Sequence, residues 1–269
     1  LRTAREMRRI VDKYILPHWA DRIFTEIKRS DIAKLLDAIE DRHGASVADH
    51  VLTTLRSIAS WVQERDDDYV PPFVRGMRRV PKDRHHRARI LTDDEVRTLW
   101  RATEETGAAG AAIRLLLLTA QRRSKVLKMR WSDLNLSDGA WTIPTEAPEK
   151  GNAGALKLPK AALDIIRAQP RLARDDRVFH IGQTTLFYYN SKVGDWRVHD
   201  LRRTARSLMS RAGVQSEHAE RVMGHVIGGV EGIYDRHGYD SEKALALEKL
   251  AALIEHIVNP PAKNVIALR

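Results

Sequence analysis

The chain has 269 residues, enough for one large domain or two smaller ones, each with its own core. Hydrophobic residues make up 43% and charged residues 30%, proportions of a folded globular protein, and the longest apolar run (108–120) is too short to span a bilayer and is broken by Arg114, so a helical membrane protein is excluded. The absence of cysteine removes disulfide frameworks, thiolate nucleophiles and sulfur-ligated zinc together, while the net charge of +10 is compatible with a polyanionic partner bound through counterion release.

From Arg2 to about Glu64 the apolar spacing predicts helices over "AREMRRIVDKYIL", "SDIAKLLDAIEDRHG" and "ASVADHVLTTLRSIASWVQERD", with Ser30 as an N-cap and Gly44 as a C-terminal stop. Val47, Val51, Leu55, Ile58 and Val62 recur every three or four residues in the last of these, which suits a small helical bundle. "DDDYVPPF" (66–73) then breaks the periodicity with an acid run and two prolines, and a domain boundary is expected there. The following "VRGMRRVPKDRHHRAR" (74–89) sets seven Lys or Arg against one Asp, a local charge of +6. It reads either as a solvated linker or as a strap along a phosphate backbone, with Arg75, Arg78, Arg79, Lys82, Arg84, Arg87 and Arg89 as the DNA-contacting cations.

A second domain opens at "LTDDEVRTLWRAT", where Thr92 and Glu95 have the spacing of a capping box. Helices are expected at about 109–120 and 123–129, followed by two short strands, "GAWTIP" and "GALKLP", joined by the long turn "TEAPEKGNA". "KAALDIIRAQ", "QTTLFYYNSKV", "VHDLRRTARSLMSRAGV", "SEHAERVMGH" and "SEKALALEKLAALIEHIV" are all helical in pattern. The expected fold is mainly α with a small antiparallel β-sheet, divided into a helical domain (1–80), a basic linker (81–90), a second domain (91–260) and a tail (261–269). On the last helix Leu245, Leu247, Leu250 and Leu253 lie near the apolar stripe, which docks either on a neighbouring protomer or in cis. With no secretory leader the expected compartment is the cytoplasm, and a chain that opens at Leu1 reads as a fragment lacking an N-terminal piece.

Several residues are suited to phosphate chemistry. His199 and Arg202 are three apart, so one helix face presents an imidazole and a guanidinium together. Arg122 and Arg123 fall at a break between two helices, where guanidinium forks and backbone amides meet an anion. Lys150 lies in the hairpin turn, and Tyr234 follows His225 by nine positions in a Gly-rich stretch. Singly, each has an ordinary reading as a surface or packing residue.

Their order does not. Arg, Lys, His-x-x-Arg, Gly-His and Tyr, carried by "HDLRRTARSLMSRAGV" and "VMGH", resemble the tyrosine recombinase (phage integrase) family, particularly integrases of temperate phages and genomic islands. The resemblance implies a helical core-binding domain and a catalytic domain that cuts and rejoins DNA through a 3′-phosphotyrosyl intermediate, without metal or cofactor. It makes Arg122 and Arg202 the clamp on the scissile phosphate and Lys150 the general acid at the departing 5′-oxygen. His199 becomes the proton-transfer partner of the tyrosine, His225 a hydrogen-bond donor to a non-bridging oxygen, and Tyr234 the nucleophile. Arg123 and Arg203, beside these, are further candidate DNA contacts. The implied partner is double-stranded DNA, bound as a tetramer by a chain monomeric when free, with accessory DNA-bending proteins in attendance.

Two positions depart from the family's "TGxRxSE" pattern, since the chain reads "TAQRRSK". Ala120 replaces the Gly, which a helical backbone would accommodate. Lys125 replaces an acid expected to orient Arg122, and a cation there would repel it, so Asp133 or Asp200 is expected to take over that support. The alternative is a catalytically impaired relative that only binds DNA. A type IB topoisomerase would share the chemistry but is longer, and a metal-dependent nuclease would need His180, His199, His218, His225 or His237 as ligands without any supporting carboxylate spacing. A purely helical interaction module leaves the ordered motif residues unexplained.

Overall fold

Helix-forming sequence and apolar spacing build the N-terminal part of the chain in order: α1 (Arg2–Ile10), a π-helical turn (Val11–Ile15), α2 (Leu16–Trp19), α3 (Arg29–His43) and α4 (Ala45–Gln63). The computed structural model describes residues 2–81, 87–146, 151–182, 184–186, 194–225 and 237–261, and the chain divides into two compact units, Leu1–Ala88 and Arg89–Arg269. In the first unit α3 and α4 pack together over Ile32, Leu35, Leu36, Val51, Leu52 and Leu55, with Tyr14, Ile15 and Trp19 closing the core. Each such side chain contributes roughly 1.5–3 kcal/mol by leaving water. Gly44 ends α3 with a φ of 87°, a conformation that glycine adopts without strain. The N-cap of α3 is Lys28, not Ser30. The carboxylate of Asp31, at the third position of the helix, accepts from the Lys28 amide at 3.0 Å, so the helix starts before Ser30 and the acid sits in its first turn.

The acid and proline stretch does not take the chain away from this bundle. Phe73 and Met77 pack against its core. Asp49, buried on α4, accepts the amides of Arg79 at 2.8 Å and Val80 at 3.2 Å. The Arg79 guanidinium is bonded to Asp37 and lies 3.5 Å from Glu40. Residues 74–80 are therefore held to the helices by a buried carboxylate that needs donors, and the prolines turn the chain without releasing it.

The second unit begins with the expected capping box: Thr92 donates its amide to Glu95 at 2.8 Å and accepts the Glu95 amide at 3.3 Å, starting α5 (Asp93–Ala102). Then come α6 (Gly107–Thr119) and the short α7 (Arg123–Leu127). A three-stranded antiparallel sheet follows: β1 (Leu134–Asn135), β2 (Ala140–Thr142) and β3 (Ala155–Lys157), in that spatial order. Trp141 pairs with Leu134 on one side and Leu156 on the other, which fixes the register; the two-residue β1 is too short to have left a periodic signal. The unit closes with α8 (Lys160–Arg167), α9 (Val198–Arg211), α10 (Ser216–Met223) and α11 (Asp240–Val258).

Helix α6 is the centre of the unit. It is apolar all round, with Leu115 through Leu118 buried, and it packs against α7, α8, α9 and α11. Arg114 is accommodated in the run because its guanidinium donates to Trp100 O at 2.7 Å and Thr103 Oγ1 at 3.2 Å, satisfying the end of α5. Helix α11 docks in cis against α5, α9 and α10 through Ala246, Leu247, Leu250 and Ile254. Leu245 is not on that face. Two residues from Leu247, it lies about 200° around the helix and is 58% exposed.

Candidate active site

The site is built around Arg202, which the first turns of α9 carry into the protein until it is only 4% exposed. Its guanidinium donates through Nη1 to Ala120 O at 2.6 Å, at the end of α6, and through Nη2 to Met223 O at 2.7 Å, at the end of α10. Nη2 also lies 2.9 Å from His225 Nε2. One side chain of α9 thus ties together the ends of α6 and α10 and still has N–H groups available for an anion. Burial, and then the nearby charge of Arg122, push the Arg202 pKa down to about 10, so the group remains a cation at neutral pH.

Ala120 is not helical, contrary to the expectation from sequence. It is left-handed, with φ 54° and ψ 19°, at the C-cap of α6. A residue with a Cβ carries roughly 1–2 kcal/mol of strain there. The turn aims the carbonyl at Arg202, and Gln121 reinforces it by donating to Val222 O at 2.6 Å and Thr119 O at 3.0 Å.

Gly224 and His225 end α10 in a Schellman turn: the Gly224 amide bonds Arg221 O at 3.0 Å and the His225 amide bonds Glu220 O at 3.1 Å. The φ of 65° at Gly224 favours glycine, and a Cβ there would sit 2.4 Å from Ala153 N and 2.6 Å from Asn152 C. The turn folds the His225 ring back over the helix end, where Nδ1 meets the Glu220 carboxylate.

Arg122, in the loop entering α7, is half-buried and donates to Gly151 O at 2.9 Å and Gly224 O at 3.5 Å. It therefore links the Gly-His turn to the stem of the β2–β3 connection. The buried Lys243 of α11 holds the same stem from the far side, donating to Ala153 O at 3.1 Å and pairing with Asp240 at 2.9 Å. His199 is exposed at the start of α9. Desolvation, followed by the charges of Arg203, Arg202 and Arg122, holds its pKa below the ordinary histidine value of 6.5 despite Asp200. At neutral pH the imidazole is uncharged and able to accept a proton.

Arg122, His199, Arg202 and His225, from α9 and two separate turns, thus converge. Lys150 and Tyr234 lie outside the described residues, as do Lys82 and Arg84. Arg123 is half-buried at the first position of α7, and Arg203 is paired with Asp200 at 2.8 Å. Asp200 also accepts the Arg197 amide at 2.8 Å as the cap of α9, and Asp133 accepts the Arg130 amide at 3.1 Å. Lys125 is buried, donates to Pro144 O at 2.6 Å and lies 3.9 Å from Glu146, whose carboxylate also takes Lys128 at 2.9 Å. In the basic segment Arg75 and Arg78 are exposed and Arg87 is half-buried. Arg89 is bonded to Glu95 and donates to Asp195 O at 3.2 Å. Sequence reasoning missed Gln121, Glu220 and Lys243, whose partners come from distant parts of the chain or from a turn that reverses direction.

The fold is shared with solved integrases. The structure superposes on lambda integrase (residues 75–356), solved as a dimer bound to a COC′ core site, with a TM-score of 0.65 and 18% identity over 83% of this chain and 88% of that one. It also superposes on the Tn1549 transposon integrase in complex with transposon right end DNA, with a TM-score of 0.60 and 17% identity over 92% of each chain. In sequence it is 24% identical over 178 residues to the prophage integrase IntZ of Escherichia coli (strain K12), covering 61% of this chain and 44% of that protein. The chain thus spans less than half the length of this curated relative. No family model matches the chain. The chain is thus similar in sequence to a prophage integrase and shares the fold of the solved integrases.

Proposed function

We propose that this chain is a site-specific DNA recombinase, an integrase that cuts and rejoins DNA strands to integrate or excise a mobile element. The observation that carries the reading is the convergence of Arg122, His199, Arg202 and His225, with the arginines held by main-chain carbonyls in a recombinase fold. In-line attack on a phosphodiester concentrates negative charge on the phosphoryl oxygens. Guanidinium groups already fixed in place stabilise that charge without reorganising.

In this mechanism the Tyr234 phenol attacks phosphorus as its proton passes to neutral His199, whose lowered pKa keeps it unprotonated at neutral pH. The bond to the 5′-oxygen breaks, and Lys150 donates the proton that the leaving oxygen takes up. Religation runs the same steps backwards from a 5′-hydroxyl, with no ATP and no metal. Arg122 and Arg202 hold the phosphate, and His225 completes its shell. Arg75, Arg78, Lys82, Arg84, Arg87, Arg123 and Arg203 contribute phosphate contacts that position the duplex.

Lys125 counts against the impaired-relative reading. Its ammonium is engaged by Pro144 O and the neighbouring Glu146 carboxylate, so the charge expected to disturb Arg122 is locally compensated. Double-stranded DNA is the partner. Lambda integrase has been solved as a tetramer bound to a Holliday junction, and the same assembly is proposed here, with a monomer in the absence of DNA. The site of action is the cytoplasm, at the nucleoid of a bacterial cell.

The test is to trap a covalent protein–DNA adduct on a nicked suicide substrate carrying the element's junction, in EDTA. An adduct that disappears in Tyr234→Phe is expected. Cleavage abolished by EDTA would instead mean a metal-dependent nuclease, and salt-sensitive binding with no adduct would mean a DNA-binding relative.

A further inference from the structure

The residue behind His225 is unexplained by the roles above. Glu220 lies in the last turns of α10, and the reversal at Gly224 returns the imidazole to it, so that Nδ1 and a carboxylate oxygen are hydrogen-bonded. The other ring nitrogen, Nε2, is 2.9 Å from Arg202 Nη2. A guanidinium has donors only, so Nε2 is the acceptor in that contact. The ring proton therefore sits on Nδ1 and is donated to Glu220. This assignment is that of the neutral ring.

Glu220 is itself fixed from behind. Arg206 donates through Nε to its other oxygen at 2.7 Å. The two ends of the Arg206 fork are held by Ser210 Oγ at 2.6 Å and Ser216 Oγ at 2.8 Å. Burial would raise the Glu220 pKa, but the bonds from Arg206 and His225 outweigh it and hold the carboxyl below its ordinary value. The chain of contacts runs from α9 (Arg206, Ser210) through α10 (Ser216, Glu220) to His225 and returns to α9 at Arg202. Every joint in it is polar and occupied.

We propose that Glu220 is a positioning residue for His225, fixing the imidazole with its proton on Nδ1 and its Nε2 edge toward Arg202 and the anion site. This rests on the recombinase reading for its consequence in catalysis, but not for the ring geometry itself. A carboxylate behind an imidazole selects the tautomer and orients the ring. It also compensates charge whenever Nε2 takes up a proton to face a phosphate oxygen. The sequence signal is a Glu five residues before the His of "EHAERVMGH", a spacing that aligns only through the Schellman turn.

The variant Glu220→Gln is informative because an amide has one acceptor and one donor end where the carboxylate has two acceptors. With its oxygen retained by Arg206, the amide turns its NH2 toward His225 and favours the opposite tautomer. Long-range 15N–1H spectra of the full chain without DNA are expected to show His225 protonated on Nδ1 in wild type and shifted toward Nε2 in Glu220→Gln. Glu220→Ala is expected to give a mixture of tautomers. On the suicide substrate, both variants are expected to bind DNA as wild type does and to form adduct at least ~10-fold more slowly at saturating DNA. A wild-type ring protonated on Nε2, or spectra unmoved by both substitutions, would overturn the proposal whether or not the chain cleaves DNA. If the tautomer shifts and wild type forms no adduct, the positioning stands and the recombinase reading fails.

Discussion

Arginines in this chain are held in two opposite ways. Arg79, in the basic segment beside the first unit's helices, is bonded to Asp37 and close to Glu40, and Arg89 is bonded to Glu95. Arg202 is held instead by the carbonyls of Ala120 and Met223. A carboxylate fixes a guanidinium and cancels its charge, whereas a carbonyl fixes it and leaves the charge for something else. A basic composition does not distinguish these cases, but the partner atoms do. The comparison makes its strongest claim at Arg202. In Arg202→Lys the positive charge is kept while the planar fork that reaches both carbonyls is lost. Adduct formation is expected to fall by roughly 10²–10³-fold at saturating DNA, the loss typical of removing a preorganised donor. Retention of near-normal cleavage would mean that charge alone suffices and that the carbonyl grip is incidental.

The carboxylate-held arginines define the next effect. Arg79→Ala removes partly exposed ion pairs and is expected to lower the stability of the first unit by roughly 0.5–1 kcal/mol in thermal unfolding, with little change in the salt dependence of DNA binding. Arg75→Ala is expected to do the reverse. Its exposed guanidinium should leave stability within about 0.5 kcal/mol of wild type and reduce the log–log salt slope by roughly one. Equal salt slopes in the two variants would remove the distinction between neutralised and available cations in this segment.

What was legible in the sequence follows the range of the interactions. The Thr92–Glu95 cap and the Gly44 stop are decided within a few residues, and the apolar spacing gives the cores of α3, α4 and α6 directly. The convergence of Arg122, His199, Arg202 and His225 was visible as an ordered pattern, although periodicity alone would have left each on an anonymous surface. Gln121 and Lys243 were invisible because their acceptors, Val222 O and Ala153 O, are set by tertiary packing. Asp49 shows the converse. In sequence it is an acid on a helix, ordinarily exposed, and it is buried because the amides of Arg79 and Val80 return to it. Ala120 was misread because a left-handed alanine is disfavoured locally and is held by contacts made far along the chain.

The smallest effect lies between the two cases. Arg203 is ion-paired with Asp200, yet it still contributes to lowering the pKa of His199, second only to desolvation. Because the folded state binds this proton more weakly than the unfolded chain, His199 favours unfolding as pH falls below the ordinary value of 6.5 and has no effect well above it. Arg203→Gln removes that cation and frees Asp200 to favour the imidazolium. The His199 midpoint, followed by ring-proton NMR in the absence of DNA, is expected below the ordinary value in wild type and to rise toward it in the variant, while the acid limb of the cleavage profile moves in the same direction. A midpoint that does not move would mean that pairing with Asp200 screens Arg203 completely. Arg203 would then belong with Arg79 and Arg89 among the cations whose charge is already neutralised.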